Sequence, residues 1–161
     1  MSNRDPRQRF DYQNWLNGQV AERAKASLAA RDAAFAENNA GETRAALTQY
    51  LNVCAAALGH SPSPTEIDGG AFIEQRFGSW DNAMIAAGLP RPKTTPKLNN
   101  TLRYRMEKER LLPLFLSERK EKKRQRQTEK DLRRGQRMHE RAVRRKAAKE
   151  VTEAAEQEEI C

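Results

Sequence analysis

The chain has 161 residues, 37% hydrophobic and 32% charged, with 30 Lys/Arg against 22 Asp/Glu and a pI near 9.8. That leaves room for one small domain with extensions, and the average is polar for a compact domain. No 18 apolar residues run together to span a membrane, and two cysteines, Cys54 and Cys161, form neither a disulfide framework nor a metal-ligand cluster.

The net charge of +8 is unevenly spread. Residues 1–98 sum to +1, residues 99–149 to +12 and residues 150–161 to −5. A segment this basic seeks a polyanion. The amino end is polar and lacks a signal-type apolar run, so a cytoplasmic protein is expected.

In chain order, residues 1–41 read as a polar start followed by a long helix. Asn14 is the expected N-cap, and Leu16, Val20, Ala24 and Leu28 recur at steps of four, with Phe35 beyond. Phe10, Tyr12 and Trp15 form an aromatic group expected to dock the helix start on an apolar surface. Asn38-Asn39-Ala40-Gly41 marks a stop.

Residues 42–90 read as a four-helix module. Leu47, Leu51, Cys54 and Leu58 lie on one face of its first helix, closed by Gly59. Ser63-Pro64-Thr65-Glu66 has the capping-box pattern and predicts a short helix ended by Gly69-Gly70. A third helix is expected over Ala71–Phe77, broken by Gly78. A fourth, capped by Ser79, presents Trp80, Ala83, Met84 and Ala87. The predicted module core is Leu47, Leu51, Cys54, Leu58, Ile67, Ile73, Phe77, Trp80, Met84 and Leu89. About fifty residues is near the lower limit for independent folding, so packing against the first helix is expected.

Residues 91–98 are a Pro/Lys/Thr linker, and residues 99–161 a basic helical extension with an acidic end. A helix over about 99–112 carries Leu102 and Met106 on one side. Leu111, Leu112, Leu114, Phe115 and Leu116 crowd Pro113 and are expected to dock or to self-associate. Residues 117–149 hold 15 Lys/Arg and 5 Asp/Glu with no heptad stripe, which predicts an exposed, partly formed helix. The fold class is all-α, with a helix-turn-helix-like module.

The Leu58-Gly59 pair, Pro62, the Ser63–Ile67 turn, Phe77-Gly78-Ser79-Trp80, Ala83 and Ala87-Gly88-Leu89 resemble the homing-endonuclease-associated repeat. The resemblance covers about residues 43–90. It implies a small helical DNA-binding module and suits a bacterial, phage or mobile-element source. The family often occurs in several copies beside a nuclease; here one copy is found and no nuclease motif. The matching residues are mainly structural.

With only His60 and His139 as histidines and no nucleophile with an identifiable base, no enzyme activity, cofactor or metal is expected. Residues 41–92 sum to −2, so phosphate attraction must come from elsewhere. Within the module, Ser61, Ser63 and Thr65 are candidate phosphate contacts, and Glu74, Gln75 and Arg76 show on the candidate reading helix. The tail offers Arg119, Lys120, Lys122, Lys123, Arg124 and Arg126, then Arg133, Arg134 and Arg137, then Arg141, Arg144, Arg145 and Lys146. The expectation is a non-catalytic DNA-binding protein. The alternatives are an RNA- or ribonucleoprotein-binding structural protein and a protein-interaction module. A membrane partner is not expected, because the basic helix lacks a broad apolar face.

Overall fold

The computed structural model describes residues 11–158, with side chains described to residue 149. Phe10, the acidic end and Cys161 lie outside these limits. Among the described residues the fold is all-α: α1 Tyr12–Asn38, α2 Arg44–Leu58, α3 Gly70–Phe77, α4 Trp80–Ala86 and α5 Leu102–Glu158, with a 3-10 turn at Leu98–Asn100. The chain divides into two compact units, Met1–Phe115 and Leu116–Cys161.

In the first unit, α1 is capped by Asp11 rather than by Asn14. The Asp11 carboxylate accepts from the Gln13 and Asn14 N–H groups at 3.0 and 3.1 Å, and the Asn14 side chain donates to it as well. A carboxylate placed here meets two of the four N–H groups that a helix start leaves without intrahelical partners. The four-step stripe Leu16, Val20, Ala24, Leu28 is buried, but against two successive surfaces. Leu16 and Val20 pack with Trp15, Leu111 and Phe115; Ala24 and Leu28 pack with Tyr104 and Leu98. Tyr12 and Trp15 stack at 5.9 Å, and Trp15 meets the Phe115 ring at 6.1 Å.

Further along α1, Phe35 reaches the third cluster, the core of residues 42–90. Leu47, Leu51, Ile67, Ile73, Phe77, Trp80, Ala83 and Met84 are buried there. Cys54, Leu58 and Leu89, also predicted as core, are only half-buried at its margin. The Phe35 ring lies 4.9 Å from Tyr50 and 6.2 Å from Phe72. The expected support from the first helix is therefore concrete, and its apolar part comes through one aromatic side chain, Phe35.

This segment has three α-helices and one turn, not four helices. The predicted capping box forms in altered form. The Ser63 N–H and hydroxyl both donate to Glu66, at 2.9 and 2.8 Å, so the hydroxyl is turned to the carboxylate and not to a backbone N–H. The Glu66 N–H closes a single turn on the Ser63 carbonyl at 3.1 Å. Gly69, at φ +74°, caps α3, and Gly70 is its first residue; the pair starts a helix where the sequence suggested an end. A Cβ at Gly69 would fall within the Phe35 ring, and one at Gly70 on the Pro64 carbonyl. Glycine here serves close approach as well as conformation. At the next corner Trp80 is 7% exposed and donates its indole N–H to the Pro62 carbonyl at 3.0 Å.

The last helix is capped by Thr101, whose hydroxyl accepts from the Tyr104 N–H at 3.2 Å. It does not break at Pro113, which lies inside α5. Proline removes the bond to the carbonyl four residues back, but its neighbours Leu111 and Phe115 are held by α1. The inward face is Tyr104, Glu107, Leu111 and Phe115, while Leu102 and Met106 stay 53% and 60% exposed. The leucine cluster is thus divided. Phe115 is buried within the first unit, and Leu112 and Leu114 remain exposed.

In the second unit, α5 is continuous to Glu158, and every side chain from Leu116 to Lys149 is exposed. Its helix is supported by local pairs such as Arg133 with Glu129 at 2.6 Å and Gln127 with Asp131 at 3.1 Å. Among the described residues no helix is long and apolar enough to cross a membrane.

Candidate nucleic-acid interface

The predicted hydroxyl contacts are mostly committed inside the protein. Ser63 is fully buried with its hydroxyl on Glu66, and Thr65 donates to the Pro96 carbonyl at 2.7 Å. Neither can offer its hydrogen to a phosphate without breaking those bonds, so both are removed from the candidate contacts. Ser61 is 9% exposed and lines a cleft of about 590 Å³ with His60, Glu66, Arg91, Lys93 and Asn100, walled by Pro90, Pro92 and Pro96. Burial alone would raise the Glu66 carboxyl. The Ser63 N–H, the Ser63 hydroxyl and His60 at 3.1 Å outweigh it and hold the group below the usual glutamate range.

The α3 candidates do face solvent. Glu74, Gln75 and Arg76 are all exposed. Arg76 is partly occupied, because its guanidinium donates to the Glu42 carbonyl at 2.9 Å. Gln75 remains the side chain on this helix whose amide could pair with a base edge. Nearby, the Arg44 guanidinium lies 5.6 Å over the Phe77 ring, which restrains one of the few cations of residues 42–90.

The tail candidates share one environment. Lys120, Lys122, Lys123, Arg124 and Arg126 are exposed, as are Arg133, Arg134, Arg137, Arg141, Arg144 and Arg145. The acids among them, such as Glu129, form exposed pairs that are worth little and are screened by salt. Residues 117–149 therefore present a net +10 on a helix with no buried side. Among the described residues no three His, Cys, Asp or Glu side chains gather where a metal ion could sit.

A second charged system went unread in the sequence, and it is structural. Arg103 of α5 is 9% exposed at its side chain and meets Asp32 of α1 at 2.8 Å. It also donates to the Ile67 carbonyl, and its Nε lies 3.5 Å from Asp68. Asp32 in turn accepts from the Gly69 N–H at 2.9 Å, and Arg31 pairs with Asp68 at 2.6 Å. One turn further along α5, Glu107 is 4% exposed. Arg110 above all holds its carboxyl down to about 2, against the opposing effect of burial and with help from the Ser27 hydroxyl at 2.6 Å. These groups tie α1, α5 and the 63–70 turn into one frame. No periodicity marks them, because Arg103 and Glu107 sit among many similar residues that stay in water.

No curated protein and no solved structure matches the chain. Residues 42–90, the segment that supplies α2, the Ser63–Glu66 turn, α3 and α4, match the family model described as the homing endonuclease associated repeat, and the chain carries it in a single copy.

Proposed function

We propose that the chain is a non-catalytic DNA-binding protein of phage or mobile-element type, in which α5 holds phosphates and the repeat sets position. One observation carries this reading: a single repeat of a kind associated with homing endonucleases shares a chain with an exposed helical segment of net +10. The division of labour follows from charge. Residues 41–92 are net −2 and supply little attraction, whereas each tail cation that meets a phosphate releases a counterion. Gln75 on α3 is the candidate for base contact, and Ser61 with Lys93 the remaining polar candidates beside the repeat's cleft.

The test is a titration of the full chain with duplex DNA at several salt concentrations. Replacing Lys123, Arg126, Arg133 and Arg137 with glutamine should lower the slope of log affinity against log salt by about 4 and weaken binding to all sequences alike. Gln75→Ala should change sequence preference with little change in slope. A native chain that binds no duplex even at low salt would overturn the reading. Competition by structured RNA stronger than by duplex DNA would move it to RNA.

A further inference from the structure

The basic residues of α5 read in sequence as three clusters. On the helix eight of the fifteen Lys/Arg of residues 117–149 fall on one line. Arg119, Lys123, Arg126 and Lys130 lead into Arg133, Arg137, Arg141 and Arg144 by steps of four, three, four, three, four, four and three. Those steps keep pace with the 3.6-residue turn, so all eight stay within about 40° of one line along the helix. Among the described residues of the second unit no acidic residue falls on that line. At a rise of about 1.5 Å per residue the row is about 37 Å long, with one cation about every 5 Å.

The opposite face is nearly neutral: Lys120, Arg124, Lys146 and Lys149 stand there against Glu118, Glu121 and Asp131. It carries Gln125, Thr128, Leu132, Gln136, His139 and Val143, all exposed. A helix that needed only solubility would gain nothing from sorting its cations to one side. That face is also too polar to be a coiled-coil seam.

We infer that this row is a one-sided contact for a DNA duplex lying along α5. The inference rests on the DNA reading above and narrows it to one face and one form of nucleic acid. A duplex is a stiff line of negative charge, about one per 1.7 Å of axis, and a straight row of cations meets such a partner along its length. A single strand is held chiefly by stacking on aromatic side chains, and residues 116–149 contain no Phe, Tyr or Trp. The Arg133–Glu129 pair on the row's flank is exposed and gives way to phosphate at little cost.

The test keeps composition and net charge nearly constant and moves only the side. In the full chain, R126Q, R133Q and R137Q are combined with Q125R, T128R and Q136R, and duplex binding is measured against salt. The three cations now sit on the nearly neutral face, and helix propensity is little changed, which circular dichroism checks. The expected result is a slope lower by about 3 and a loss on the order of a hundredfold at moderate salt. A second relocation, K130Q and R141Q with Q125R and H139R, should act in the same direction with a smaller loss. Relocated chains that bind as the native chain does would overturn the row and leave the DNA reading standing. Tighter binding of a single strand than of a duplex would overturn it too. Absence of native binding to any duplex would remove the DNA reading itself.

Discussion

Residues 42–90 and residues 116–149 are both helical, and they are helical for different reasons. The first segment breaks its chain with glycines and a Pro-containing turn, then buries Leu47, Leu51, Ile73, Phe77, Trp80 and Met84 in one cluster. The second has no breaks and no buried side chain; residue propensity and local pairs such as Glu129 with Arg133 support it. In the first, most large apolar side chains are engaged with its own fold, Val53 and Ile85 excepted. In the second, every side chain up to Lys149 is exposed to solvent. The repeat is therefore where substitution should cost stability, and the tail where it should cost binding.

The contrast can be tested most severely at Trp80. Trp80→Ala removes a buried ring and the partner of the Pro62 carbonyl, and should cost about 3–5 kcal/mol. Thermal unfolding followed by near-ultraviolet circular dichroism would measure it. A loss below about 1 kcal/mol would mean that the cluster is not what holds the repeat together.

Arg103→Met should cost about 2–3 kcal/mol, because Asp32 and the Ile67 carbonyl lose a buried partner, moderated by the partial exposure of Asp32. Urea denaturation is the measurement. If the cost matched that of a surface arginine, the frame joining α1 to α5 would contribute nothing.

Glu107 sets a pH dependence of the first unit. Its folded value, about 2, lies below that of the unfolded chain, so its contribution is complete above the ordinary glutamate range. That contribution is lost as pH falls from about 4.5 toward 2, and amounts to on the order of 3 kcal/mol. Glu107→Gln should flatten acid unfolding in this window, seen as a smaller shift in melting temperature between pH 5 and pH 3. An unchanged acid profile would show that the Arg110 and Ser27 contacts do not hold the charge.

The smallest effect is expected in the tail. Leu132 is 61% exposed, and Leu132→Ala should change stability by no more than about 0.5 kcal/mol. A larger loss, or a change that grows with protein concentration, would reveal a packed partner on that face.

Much of the repeat was legible because local signals agree with its packing. The four-step stripe of α1, the Gly59 and Gly78 helix stops and the Ser79 cap all appear where spacing places them. The misreadings share one cause. The Ser63 hydroxyl turned to the Glu66 carboxylate, Gly69-Gly70 made room for Phe35 and Pro64, and α5 continued through Pro113 beside side chains clasped by α1. Each is decided by a neighbour far away in sequence. For the candidate interface, the tail cations were readable as charge, but the common line of eight of them required a continuous helix. Ser63 and Thr65 looked like surface hydroxyls until the turn and Pro96 closed over them.

The sequence by itself determined the helical character, the apolar faces of the repeat and the concentration of positive charge after residue 98, because these depend on residue type and on neighbours within a turn or two. Only the tertiary structure decided which charges are withdrawn from solvent, since burial of Arg103 and Glu107 depends on α1 lying across the start of α5. Desolvation and pairing are properties of surroundings, and surroundings are assembled from parts of the chain that no local window contains.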